Sequence, residues 1–258
     1  MNELLRFLNS HVSARQFTDR PITREEEIAI VETAQRSPTS SNVQAYSVIS
    51  VRNQQSKNTL ARLCGNQDHV SQSALFLVFC ADLYRLSGLS SQRGYEFNSQ
   101  YAEQFIIATV DVTLVAGRAL MAAQAMGLGG VMVGGIRNNP DEVTNLLGLP
   151  TLVYPVMGMS LGEPTRLPKI KPRLPRTGLH FSEKYNADAL AGAVEAYDQT
   201  ILETGSLKGR EVEPDRYPEF SGVYSWSEHT ARRNASRQPA TQRPHMLKFL
   251  QRQGFLRA

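Results

Sequence analysis

From Phe105 to Met126 apolar residues fall on almost every side of a helical projection, within a helix predicted over residues 98–126. A helix with no polar face cannot lie on a wetted surface; it belongs at the centre of the fold or against a second subunit. Gly127 is its natural end, because glycine enters the left-handed conformation that closes helices. The uncharged run between Arg118 and Arg137 is long enough to cross a membrane. Its glycines at 127, 129, 130, 134 and 135 argue against one continuous membrane helix. A soluble, cytoplasmic protein with no membrane partner is expected.

The remaining elements must pack around that helix. Residues 3–10 read as a short helix with Leu4, Leu5 and Leu8 on one side. Thr23 and Glu26 form a capping box that opens a second helix, which stops near Ser37-Pro38. Tyr46–Val51 alternates as a strand, residues 55–63 read as a helix ended by Gly65, and Leu75–Ala81 is short and wholly apolar, as a buried strand is. After the long helix come a strand at 131–133, a helix at 140–147 opened by proline, and a strand at 154–161. Residues 164–178 read as an ordered loop, 187–203 as a helix, 205–228 as a polar surface excursion, and 244–253 as a last helix. The fold class is mixed α and β, with 1–204 as the core and 205–258 as a C-terminal excursion and basic tail.

Charge is uneven along the chain. Residues 1–204 hold 18 basic and 19 acidic side chains, residues 205–258 hold 10 and 5, and His229–Ala258 holds seven basic residues and no acidic one. Such a tail invites a polyanion-binding reading, whose mark would be salt-dependent binding lost with residues 229–258. Two cysteines, Cys64 and Cys80, are too few for a disulfide-rich scaffold and lack metal-site spacing. Both sit among apolar neighbours and read as buried thiols. His69, His180, His229 and His245 show no metal-ligand spacing, so no metal is expected.

Gly127-Leu-Gly129-Gly130 invites a dinucleotide-loop reading, but that fingerprint runs strand, glycines, helix. Here the order is helix, glycines, strand, and Met132 stands where the third glycine belongs. The chemistry lies elsewhere. In extended chain His11, Ser13 and Arg15 share one face, with Val12 and Ala14 on the other, and three donors on an edge make an anion-binding ridge. The same spacing also fits an ordinary polar surface strand. Lys171-Pro-Arg173-Leu-Pro175 repeats the device on a backbone stiffened by proline; the plain alternative is a solvated loop.

Five motifs occur in order: His11-x-Ser13-x-Arg15-x-Phe17, Thr39-Ser40-Ser41-x-x-Gln44, Gly65-Asn-Gln67, Gly134-Gly135-Ile-Arg137-Asn-Asn139 and Lys171-Pro-Arg173-Leu-Pro175. Together they resemble the FMN-dependent nitroreductase superfamily, most of all its group A, oxygen-insensitive NADPH nitroreductases and NAD(P)H-flavin reductases. The likeness covers residues 3–204 well and the remainder more loosely.

The resemblance implies an α+β fold with a central, mostly antiparallel sheet flanked by helices, in an intertwined homodimer with FMN at the interface. It implies FMN binding by His11, Ser13, Arg15, Lys171 and Arg173, by Gln67 at the pyrimidine ring, and by Val133, Gly134 and Gly135 beside the isoalloxazine. Thr39, Ser40 and Ser41 match a segment lent by the other subunit. Lys208 and Arg210 fall where the family carries a loop for the NADPH phosphate, and Arg243 matches an arginine near the substrate pocket. This chain departs there: a lysine replaces an expected arginine, and 211–224 look inserted. The implied activity is two-electron, ping-pong reduction of nitroaromatics, quinones or related acceptors by NADPH or NADH through flavin N5. Supply of reduced free flavin is the alternative. No side chain is expected to act as a catalytic group; Arg15 tunes the flavin.

Overall fold

Residues Leu75–Asp82 form β2, and all eight are buried, because both edges of this strand are paired and both faces are covered. The computed structural model describes residues 2–212, 214–235 and 242–257. Glu213 of the segment that looks inserted and Arg237 of the basic tail lie outside them. Strand β1 (Tyr46–Val51) pairs with β2, β2 with β4 (Val153–Gly162), and β4 with β3 (Gly129–Val133), all antiparallel, in the order β1-β2-β4-β3. The antiparallel sheet flanked by helices is therefore as expected. Side chains of β2 alternate between two cores. Leu75, Leu77, Phe79 and Ala81 meet one, and Phe76, Val78 and Cys80 the other.

In chain order the helices are α1 (Glu3–Asn9), α2 (Arg24–Ala34), α3 (Gln54–Leu63), α4 (Asp68–Ser71), α5 (Tyr84–Gln92), α6 (Ala102–Ala125), α7 (Pro140–Leu147), α8 (Ala189–Thr204), α9 (Trp226–Asn234) and α10 (Met246–Arg252). The first core lies under α6, which lays Ala108, Val112, Val115, Ala116 and Ala119 against the sheet. By length and composition α6 could cross a membrane. Its small residues instead bring it close to β2, while Ile106, Val110, Leu114 and Met121 stay exposed on the other side. It begins at Ala102 rather than at 98: residues 98–101 stay out of the helix, and Ser99 Oγ donates to the Gly254 carbonyl at 2.8 Å.

Capping chemistry explains several boundaries. Thr23 Oγ1 accepts from the Glu26 amide at 3.1 Å and the Glu26 carboxylate accepts from the Thr23 amide at 2.8 Å, so α2 starts where the capping box placed it. Helix α7 carries Pro140 at its first turn and ends at Gly148, whose φ is +62°. Helices α4, α5 and α9 lack an apolar stripe and were not expected.

The chain divides into two compact units, Met1–Lys169 with His245–Ala258, and Ile170–Pro244. The boundary read at residue 204 falls inside the second. The first holds the sheet, and α10 returns to it: Phe249 and Phe255 are buried in the α6 core, and Arg252 pairs with Asp141 at 2.8 Å. In the second, α8 and α9 pack through Tyr197 and Trp226, whose rings meet edge-on at 5.1 Å, and Ser227 bonds Asp198.

Candidate functional site

Residues 11–17 are extended, and their alternation is the one the sequence predicts. Val12 and Ala14 are buried, His11 and Ser13 half-buried, and Arg15 exposed. The segment is tied down at both ends: the Ala14 amide donates to Gly130 O at 3.1 Å, and Phe17 bridges to Pro164. Gly129 permits this, since a Cβ there would lie 2.7 Å from that of Ala14. His11 is oriented from behind by Gln124 of α6, with Nδ1 3.3 Å from Oε1 as placed. His69 sits nearby, held by Ser160 Oγ at 3.1 Å; burial first, and then the Arg15 charge, lowers its pKa.

A second cluster joins Gln67 to the glycine pair after β3. Gln67 Nε2 donates to Cys64 O at 2.8 Å, and Asn138 Nδ2 donates to the same oxygen at 3.2 Å. Gly135 is pressed against Cys64 and Gln67. A Cβ there would fall on the Cys64 carbonyl and 2.6 Å from Gln67 Nε2. Val133 is buried, Gly134 is open beside Arg137, and Arg137 donates to Val156 O. The result is a stretch of bare backbone beside a fixed amide whose Oε1 has no partner among the described residues. A flat heterocycle with imide and carbonyl groups has the chemistry to match it.

Thr39, Ser40 and Ser41 enter a 3-10 turn at Ser40–Asn42. Ser41, Asn42 and Gln44 have φ of 46°, 57° and 53°. Asp111, buried in the middle of α6, holds this strained segment: its oxygens accept from the amides of Ser40 at 2.9 Å and Ala45 at 3.1 Å. No hydrogen bond joins the segment to the 11–15 ridge among the described residues.

The second unit carries its own basic cavity of about 520 Å³, lined by Lys171, Arg173, Arg210, His229 and Arg233 beside Trp226. Tyr197 Oη donates to Pro172 O at 3.0 Å, and Arg173 Nη1 folds onto Lys171 O at 2.9 Å, so the Lys171–Arg173 loop is built rather than loose. Of the loop cations, Arg210 faces this cavity, whereas Lys208 is exposed and does not line it. Arg243 is half-buried with φ of 49° and is not among the lining residues.

Sequence reading missed Asp111, Gln124 and His69. The lone carboxylate between Glu103 and the end of α6 was the available signal for Asp111; the other two show themselves only through partners distant in sequence. Among the described residues no group of three or more His, Cys, Asp and Glu is placed to hold a metal. Cys64 and Cys80 are buried, and burial pushes each thiol up to about 12, away from thiolate chemistry.

Known proteins are similar to this chain in sequence and fold. Residues 8–163 match the nitroreductase family and residues 171–258 its C-terminal domain. An FMN reductase (NADPH) of Bacillus subtilis is 40% identical over 205 residues, which are 78% of this chain and 82% of that one. An oxygen-insensitive NADPH nitroreductase of Salmonella typhimurium is 35% identical over 257 residues, 99% of each. The solved structure of an NADPH:FMN oxidoreductase from Vibrio harveyi, complexed with NAD+, superposes with a TM-score of 0.83 at 31% identity and covers 100% of both chains.

Proposed function

The chain belongs to the nitroreductase family, and from that membership we propose an FMN-dependent oxidoreductase that draws electrons from NADPH or NADH. When bound, FMN supplies two-electron hydride chemistry at N5, serving first the nicotinamide and then an acceptor. The observation that carries the reading is the Gly134–Gly135 backbone packed directly against the fixed Gln67 amide: a Cβ at 135 would strike the Cys64 carbonyl and displace that amide.

Each residue then has a task. Arg15 sets a fixed positive charge on the ridge and offsets negative charge gathered at the pyrimidine edge of the flavin. His11 and Ser13 add donors, the first oriented by Gln124. Gln67 reads the pyrimidine ring, and Val133, Gly134 and Gly135 give the ring system a flat seat. Lys171 and Arg173 take the flavin phosphate. Thr39, Ser40 and Ser41, held by Asp111, serve the site of a second copy in a homodimer. Lys208, Arg210 and Arg243 serve the dinucleotide or the acceptor. No side chain needs to act as nucleophile. A cytoplasmic setting, supplied with NADPH, suits this chemistry.

Purified protein is expected to be yellow, to bleach with NADPH under anaerobic conditions, and to regain colour with a nitrofuran or quinone. Protein that is colourless and gains no flavin band on adding FMN would end this reading. Arg15→Ala is expected to lose FMN. Relatives include both nitroreductases and flavin reductases. Free flavin is thus a second acceptor to measure, and relative turnover on flavin, quinone and nitrofuran decides between them.

A further inference from the structure

A cavity of about 530 Å³ lies in the first unit, where residues 17–21, the start of α3 and the loop from α4 into β2 meet. Lys57 stands there among Asp19, Asn58, Gln72 and Ser73, with Phe17 as the largest apolar wall. No residue assigned above to flavin, dinucleotide or acceptor lines this cavity.

Lys57 is the group that ordinary packing does not explain. Only 5% of it is exposed, although it lines the hollow. Its Nζ donates to the Ser73 carbonyl at 2.5 Å and meets no other acceptor, and no carboxylate, among the described residues. Burial first, and then the Arg52 charge, lowers its pKa, with no acidic group acting the other way. A buried ammonium without a counter-charge is costly, and two of its three hydrogens remain for an occupant of the cavity. Those hydrogens call for an oxyanion.

The other lining residues narrow the ligand. Asn58 Oδ1 accepts from Gln54 Nε2 at 2.8 Å, which turns the Asn58 NH2 group outward as a second, neutral donor. Asp19 is exposed, has no partner among the described residues and does not pair with Lys57, so it sets a negative charge at the rim. One buried cation and one rim carboxylate accept a single negative charge and oppose a second. We propose that this cavity binds a small monocarboxylate bearing a hydroxyl or ammonium group, with its carboxylate on Lys57 and its donor toward Asp19. The site goes beyond the oxidoreductase reading and excludes phosphate dianions by the same charge pattern.

The test uses the full-length protein with FMN bound and follows ligands by saturation-transfer NMR. L-Lactate and L-alanine are titrated, with lactamide, succinate and propionate as controls. Lactate or alanine should bind with Kd on the order of 1 mM, as suits so few contacting atoms, and the tighter of the two identifies the donor as hydroxyl or ammonium. Lactamide lacks the charge and succinate carries a second one, so each should bind about tenfold more weakly, with propionate, which lacks the donor, in between. Lys57→Met removes the ammonium at similar length and should weaken lactate and alanine about tenfold. Asp19→Asn changes an exposed side chain and should bring succinate to within about twofold of lactate. Thermal unfolding checks that both variants are folded. The proposal is overturned if neither lactate nor alanine binds saturably, if lactamide matches lactate, or if folded Lys57→Met binds at full strength. Displacement of the ligand by a nitrofuran would place it over the flavin and overturn the proposal as well. Where Lys57→Met does not fold, a succinate-to-lactate ratio left unchanged by Asp19→Asn overturns it.

Discussion

Glu27 shows how one residue couples burial to pH. Its carboxylate is almost wholly buried, yet Arg52 reaches Oε2 through Nη2 at 2.6 Å and Nε at 2.8 Å, and Arg24 reaches Oε1 at 2.8 Å. Burial works to raise its pKa, but bonds from Ser50 and Arg52 and the Arg52 charge outweigh it, so the value lies below 4.5. A carboxyl lowered in the folded state adds stability above its ordinary pKa and loses it as pH falls through the folded value. Arg52→Ala leaves burial less opposed. It should cost about 2 kcal/mol near neutral pH, below the range for fully buried pairs because Arg52 is partly exposed. It should also move the acid limb of the unfolding curve to higher pH. Urea midpoints between pH 3 and 7 measure both, and an acid limb that stays in place would show that Arg52 does not govern Glu27. Gly135→Ala makes a second residue-scale prediction. The methyl would strike the Cys64 carbonyl and Gln67, so FMN retention should fall sharply, as the visible spectrum of the purified variant would report.

At the scale of elements, Asp111 ties α6 to the turn before β1. Asp111→Ala strands the amides of Ser40 and Ala45 in a segment already strained at Ser41, Asn42 and Gln44. About 2 kcal/mol of stability should be lost, the cost of leaving the buried Ala45 donor and the part-buried Ser40 donor without acceptors, and amide exchange should quicken at residues 40–45 before it does elsewhere. Uniform quickening across the sheet would mean that Asp111 supports the core and not the turn. Elements with apolar periodicity or capping chemistry were legible from sequence. The bounds of β1 and α7 are those read from the residues, because alternation marks one and proline with glycine marks the other. Helix α9 was not legible although Ser225 caps it by accepting from the Glu228 amide. Polar and cation–π contacts of Ser227 and Arg232 hold it, and these leave no hydrophobic period to read. The site divides in the same way. The ridge is local in sequence and was visible as alternation, whereas its support, Gln124, arrives from α6, and His69 beside it is held by Ser160 of β4; both depend on the tertiary fold.

For the whole molecule the decisive quantities are charge and uncovered apolar surface. Grouped by folding unit, the basic excess loses its tail-like character. Ile170–Pro244 carries eleven basic and ten acidic residues, and the remainder carries seventeen and fourteen. The cations at 248, 252 and 257 belong to the first unit, where Arg252 pairs with Asp141. A continuous basic arm for a polyanion is thus divided between two units. Apolar surface points more firmly to a partner. Ile106, Val110 and Leu114 recur at four-residue spacing on the outer face of α6, and Met121 continues the stripe two turns beyond Leu114. Leu8 and Phe7 of α1 line a hollow of about 260 Å³ with Gly117, Leu120 and Met121. Monomeric proteins seldom leave such a stripe in water, and a second copy of this chain presents a self-matching one. Val110→Glu with Leu114→Glu places two charges on that face without touching the sheet side of α6. The double variant should sediment as a monomer of half the native mass. Because Thr39–Ser41 are proposed to serve the partner's flavin, it should lose FMN in parallel with dimer dissociation. A variant that stays dimeric would remove α6 from the interface. A monomer that keeps its flavin would show that one chain completes the site alone.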